Sequence, residues 1–346
     1  MNKWIIGACL IFLFASCSKD DDANQSSNNP TNGGAGISFS PNVSASTIVE
    51  IDGPSTRAPL TNFENNAQIG IFGIPTIGGG TQGGHNLYDC KRKEDFQQNL
   101  FNTPYVYVDG YDVLQTEYPA TFPSGNDPAL QLYGYYPYSP DAKYMDVNGT
   151  EQWAIPWKLN VEDMAQTVDY MYAEPHLAVY NKVGLDPVVL LFQHAMGRLD
   201  LRFYSTNKQI ATAGYKIKNV TVKCYTGKSG WMAVTDGEFT FVSEHFTCKH
   251  PVSANTSITY LTPGMSAASF MFPPDAVIES ITCDLLDSGA NPHTYIIYNG
   301  GSGYEVPIRA GKMTDMRVNF LPKDASYSQN IDTWTRTTVN VDIKLQ

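Results

Sequence analysis

The strongest constraint on the fold of this chain is a period of two. From residue 37 onward, apolar side chains recur at alternate positions in short runs, with turn formers between the runs. Residues 37–43 carry Ile37, Phe39 and Val43 in this pattern, and 68–74, 103–108 and 130–138 continue it. A strand points successive side chains to opposite faces, so each run can bury one face and wet the other. Val188-Val189-Leu190-Leu191-Phe192 is followed by strict alternation at Leu199, Leu201 and Phe203. Further strands are predicted over 215–225, 238–246, 257–261, 269–272, 278–286 and 295–298. A single helix is predicted over 161–173, stopped before Pro175. The 28 Gly, 21 Pro and 21 Tyr of the chain suit strands joined by tight turns. A length of 346 residues accommodates two ordinary domains. The pattern therefore predicts an all-β chain of two antiparallel sandwiches, 37–206 and 207–346, divided at the polar patch 205–209. No internal repeat of solenoid length is present.

The N-terminus reads as an export signal. Met1-Asn2-Lys3 is a short positive start, and the apolar run from Trp4 to Ala15 matches a secretory core and is too short to span a bilayer. It ends in Phe14-Ala15-Ser16-Cys17, which resembles the lipobox of bacterial lipoproteins, with Phe14 where Leu is usual. On this reading residues 1–16 are a lipoprotein signal peptide and Cys17 is the acylated first mature residue. An ordinary cleaved signal with an incidental cysteine is the alternative. Residues 17–36 are polar and rich in Asn, Ser and Gly, and read as a flexible tether. Within it, Asp20-Asp21-Asp22 resembles a surface-export signal, or is a solvated acidic linker.

The formal charge of -11, from 23 Lys and Arg against 34 Asp and Glu, argues against a nucleic-acid partner. Cys90, Cys224, Cys248 and Cys283 would remain after lipidation. In an exported protein they form disulfides, in one of three pairings, or stay as buried thiols. Their spacing fits no zinc site, and no metal or other cofactor is expected. The Gly-rich stretch 76–84 lacks the ending of a phosphate loop. Neither a Gly-x-Ser-x-Gly elbow nor a His-Glu-x-x-His occurs, and His194 reads as a hydrogen-bonded structural residue, so no enzyme is predicted. Trp153 and Trp157 read as core aromatics, or as sugar-stacking residues of a non-polymerising, carbohydrate-binding surface lipoprotein.

The ends of the chain carry a further pattern. Val339, Val341, Ile343 and Leu345 share one face of a strand that runs to the end of the sequence, with Asn340, Asp342 and Lys344 opposite. Such a strand pairs within its own sheet or is donated to the open sheet of another molecule. Between two strands near the other end lies Asp52-Gly53-Pro54-Ser55-Thr56-Arg57-Ala58-Pro59, a turn-rich stretch of the kind proteases cut. Cleavage between Arg57 and Ala58 would separate residues 37–43 from the body. Arg92, in Lys91-Arg92-Lys93, is a competing cut.

Several motifs together resemble the fimbrillin family of Bacteroidetes, the FimA and Mfa-like pilus subunits. They are the lipobox, Thr56-Arg57-Ala58, Gln68-Ile69-Gly70-Ile71-Phe72, Tyr135-Tyr136-Pro137-Tyr138 and Asp169-Tyr170-Met171-Tyr172-Ala173. Phe192-Gln193-His194-Ala195-Met196-Gly197-Arg198-Leu199, Ala310-Gly311-Lys312-Met313-Thr314 and Ile331-Asp332-Thr333-Trp334 complete the set. Their order spans nearly the whole chain. The resemblance implies two transthyretin-like antiparallel β-sandwich (Greek-key) domains in tandem and no catalysis. It implies an outer-membrane, cell-surface lipoprotein anchored through Cys17, cut after Arg57 by an arginine-specific protease, and polymerised into a fimbrium by donor-strand exchange. Val339, Val341, Ile343 and Leu345 would be the donor residues, and the partners other copies or related subunits and a host or bacterial surface ligand. Tip and anchor subunits share the same fold.

Overall fold

Alternating apolar residues become strands almost throughout the computed structural model, which describes residues 36–43, 63–76, 87–124, 128–179, 186–252, 256–264, 266–300, 305–322 and 337–344. The chain is all-β, and among the described residues the one α-helix is Lys208–Thr212, capped by the Asn207 side chain on the Gln209 and Ile210 amides. A seven-stranded sheet is built from residues before 195. At one edge Phe39–Val43 runs parallel to Val188–His194, and Met171–Ala173, Ala129–Tyr136, Gln68–Thr76 and Thr103–Val106 follow, with His176–Val179 also on Ala129–Tyr136. Gly36–Ile37 pairs separately with Ala120–Thr121.

Residues after 196 form two facing sheets. One holds Thr259–Tyr260, Gly197–Ser205, Met313–Leu321 and Thr337–Lys344, with Ala268–Phe272 also on Gly197–Ser205; the other orders Glu244–Pro251, Lys216–Thr226, Val277–Leu286 and Pro292–Asn299. Their inner faces bury Leu199, Leu201, Phe270 and Phe320 against Val220, Val222, Ile281 and Leu285. This is β-sandwich packing, two apolar faces removing each other from water.

A fourth large sheet draws on both halves. The hairpin of Lys143–Val147 and Thr150–Lys158 pairs with Ser229–Ala233, which pairs with Phe239–Phe241. Trp153 and Trp157 point from it into the main core, where Trp153 lies 5.1 Å from the Phe101 ring and Trp157 lies 5.2 Å from Phe239. The boundary expected between 206 and 207 falls just after Gly197–Ser205, whose strand partners all lie beyond it.

Two expectations change. The helix expected over 161–173 is a single turn of 3-10 helix, Met164–Gln166, followed by the strand Met171–Ala173. Asp163 caps that turn through the Ala165 amide, while the Thr167 hydroxyl accepts from the Asn160 amide and ends it. The strand expected over 238–246 divides at Val242-Ser243 into Phe239–Phe241 and Glu244–Pro251, which belong to different sheets.

Candidate functional site

The first strand is short, apolar at alternate positions, and seated at a sheet edge. Phe39–Val43 registers Phe39 on Val188 and Val43 on Phe192. Ile37, Phe39 and Val43 are buried in a core cluster of their own with Leu114, Ala120, Leu190 and Phe192. The Val188 amide donates to Ser38 O and the Leu114 amide to Phe39 O, both at 2.8 Å. Each of the three apolar side chains contributes roughly 1.5–3 kcal/mol by leaving water, before ordering costs. Removing the strand would uncover an apolar groove floored by Val188, Leu190 and Phe192.

The last strand has the same form. Thr337–Lys344 runs parallel to Met313–Leu321 at the edge of its sheet, with Met316 opposite Val339 and Phe320 opposite Ile343. Val341 and Ile343 are half-buried against the main core. In this chain the tail thus occupies a seat in its own sheet, and its outer edge has no strand partner among the described residues. Cys17, Arg57, Ala58 and Leu345 lie outside the described residues, and Val339 is described by its backbone alone.

The remaining sequence candidates are structural. His194 Nδ1 lies 2.8 Å from Asp169 Oδ2, both buried, where the first sheet ends. Ala195 N donates to Tyr170 O and Gly311 N to Met196 O, both at 2.9 Å. A side chain on Gly197 would place its Cβ 2.7 Å from Arg309 O, so only glycine fits. Arg198 then grips Asp200 with two bonds, of 2.5 and 3.0 Å. The motif from Phe192 to Leu199 is therefore the joint between two groups of strands. Sequence reasoning found its residues and not this role, since the partners Asp169, Tyr170, Arg309 and Asp200 mostly lie far away in sequence.

Trp153 is buried and donates Nε1–H to Cys90 O at 2.7 Å, and Trp157 is 2% exposed, so neither is a sugar platform. All four described cysteines are buried free thiols. Burial pushes the Cys90 thiol up to about 11 and the Cys283 thiol up to about 12, well away from reactive thiolates. Arg92 is exposed, yet its backbone is tied into a short turn by Asp95, which accepts from the Lys91 amide at 3.1 Å and the Arg92 amide at 2.9 Å.

No curated protein matches the sequence. The fold is similar to that of a candidate cell adhesion protein from Bacteroides ovatus, with a TM-score of 0.52 and 15% identity over 83% of this chain and 93% of that one. A fimbrial protein from Bacteroides vulgatus aligns over 82% of this chain and 95% of its own, at 11% identity and a TM-score of 0.47. The fimbrillin-like family model matches residues 56–339, more than four-fifths of the sequence, and spans both groups of strands and the joint between them. This chain belongs to the fimbrillin-like family.

Proposed function

We propose that the chain is a structural subunit of a cell-surface fimbria that assembles by strand exchange and performs no catalysis. It is exported as a lipoprotein acylated at Cys17 and held at the outer membrane. An arginine-specific protease cuts between Arg57 and Ala58, and the strand Phe39–Val43 leaves with the severed N-terminal segment. Val339, Val341, Ile343 and Leu345 of another copy, or of a related subunit, then fill the vacated groove.

The observation that carries this reading is the match between the two ends. Each is an edge strand lying parallel to its neighbour, and each presents apolar residues at alternate positions, Phe39 and Val43 at one end, Val341 and Ile343 at the other. An edge strand holds one ladder rather than two, so it leaves with half the backbone bonds of a central strand. A contact of this kind joins different surfaces of successive copies, and so grows filaments instead of closing rings. In the same reading the strands divide into two tandem transthyretin-like sandwiches, with Ala195-Met196 as the joint.

The test is a brief digestion of the soluble form, residues 18–346, with an arginine-specific protease. Mass spectrometry should find a new N-terminus at Ala58, and an unboiled gel should show a ladder. A clean cut that leaves only monomers would exclude self-polymerisation and favour a tip or anchor subunit. Resistance at Arg57 with no assembly would reject the reading.

A further inference from the structure

We propose that the position vacated by Phe39 is the specificity pocket of the groove, and that it selects a donor strand carrying an aromatic side chain there over this chain's own tail. The inference rests on the strand-exchange reading above and names the kind of partner that reading leaves open.

Phe39 is the largest apolar side chain of the first strand and is fully buried. Register sets it beside Val188, and the Leu114 amide holds its carbonyl at 2.8 Å. Across from it stands Tyr105, also buried, with the two rings edge to face and their centroids 5.1 Å apart. Phe39–Val43 and Thr103–Val106 are the two ends of the strand order in this sheet, so the rings bring those ends together. Tyr105 pairs with Ile69 of Gln68–Thr76, and both lie beyond Arg57, so they stay with the body when the first strand leaves. The departing strand thus leaves a slot the size of a phenyl ring at this position, with an aromatic wall. The other end makes a different demand. Val43 lies opposite Phe192, whose ring is already met by Phe63 at 5.0 Å, and a small aliphatic side chain suffices there. The groove therefore calls for an aromatic residue and, four positions later, an aliphatic one.

The tail cannot meet that demand in any register. Residues 337–346 read Thr-Thr-Val-Asn-Val-Asp-Ile-Lys-Leu-Gln and contain no aromatic residue. The nearest, Trp334, lies three residues before Thr337–Lys344 and at an even position, out of step with Val339, Val341, Ile343 and Leu345. Val, Ile or Leu in a slot shaped by Phe leaves a void, and the atoms lining a void lose contacts that nothing replaces. An aromatic side chain entering the slot regains both the burial and the edge-to-face contact with Tyr105. The tail still fills the aliphatic positions, so copies of this chain join one another. They lose the groove to an aromatic-bearing strand when both are present. The preferred partner is a different subunit, whose donor strand carries a phenyl-sized side chain four residues ahead of an aliphatic one.

The soluble chain, residues 18–346, should be cut after Arg57, diluted, and mixed with synthetic tail peptides of residues 337–346. Native mass spectrometry then follows displacement of the 18–57 fragment by each peptide. Val341→Phe or Ile343→Phe in the peptide, whichever falls in register, should raise affinity at least about ten-fold over the unaltered peptide. Asn340→Phe puts the same ring on the opposite face of the strand and should gain nothing. In a chain carrying Tyr105→Leu the advantage of the Phe peptide should fall away. Should that variant not fold, the peptide comparison on the unaltered chain decides. Equal or weaker binding of both in-register Phe peptides, or an equal gain from Asn340→Phe, would overturn the pocket and leave strand exchange standing. A chain that is not cut, or a fragment that no peptide displaces, would reject strand exchange and the pocket with it.

Discussion

The Phe39 ring meets the Tyr105 ring edge-on, with centroids 5.1 Å apart and planes at 90°. Both are buried, and they join the first edge strand to a strand on the far side of the same sheet. Truncating a buried Phe costs about 3–5 kcal/mol through lost burial and the cavity left behind. Phe39→Ala should therefore weaken the seat of the first strand more than the rest of the sheet. After cleavage between Arg57 and Ala58, the Val188 amide, which donates to Ser38 O, should exchange with solvent at least about ten-fold faster in the variant than in the wild type. Equal protection in the two would mean that Phe39 does not govern release of the strand.

Exposure alone does not make an arginine a cleavage site. Asp95 accepts from the Lys91 and Arg92 amides and from Arg92 Nη2, and its carboxyl is held below the usual carboxylate range by these bonds, the Arg92 amide first. A protease needs the chain extended, and this turn must unwind first. Asp95→Ala should raise cleavage after Arg92 several-fold in a timed digest mapped by mass, with the Arg57 rate unchanged. Rapid cutting at Arg92 in the unaltered chain would show that the turn gives no protection.

The strands were legible in the sequence wherever polar residues fill the face opposite the apolar one, because alternation is then visible, as at Leu199, Leu201 and Phe203 with the ion-paired Arg198, Asp200 and Arg202 between and beside them. The hairpin of Lys143–Val147 and Thr150–Lys158 was not. Its outward face carries Val147 and Ala154, both buried in a satellite cluster with Ala233, so the contrast between faces is lost. The helix expected over 161–173 failed for a local reason, the Asp163 cap and the Thr167 bond, which fix a single turn. The tail pattern at Val341 and Ile343 was read correctly as a strand. Which sheet it occupies in this chain was beyond periodicity, since the parallel seat of Thr337–Lys344 on Met313–Leu321 leaves no signal in the alternation.

The tail should tolerate charge in the monomer and not in the polymer. Val341 and Ile343 are half-buried on an edge strand, so an aspartate at either can turn toward water at a cost of about 1–3 kcal/mol. In a groove covered on all sides the same carboxylate has no such escape. Val341→Asp and Ile343→Asp should keep the sheet spectrum and a cooperative melt, with a modestly lower midpoint, yet give no ladder on an unboiled gel after arginine cleavage. Ladders equal to the wild type would remove these residues from the assembly contact.

His250 should make the fold sensitive to mild acid. It is 1% exposed, and its ring lies 5.6 Å from that of Phe270 between the two C-terminal sheets. Burial lowers its pKa below the ordinary value of 6.5, and the backbone bond at Pro251, then the charges of Asp163 and Asp200, recover only part of that shift. Below 6.5 the unfolded chain thus binds a proton that the folded chain refuses. Stability is full above that pH and falls as pH drops toward the folded pKa, by up to about 1.4 kcal/mol per pH unit for one such group. Half-buried His176 is shifted down by burial too and adds a slope of the same sign. The decisive comparison is therefore the wild type against His250→Leu, melted across about pH 5 to 8. The gap between the two midpoints should shift in favour of the leucine variant as pH falls below 6.5. A gap independent of pH would mean that His250 does not titrate differently in the folded and unfolded chains.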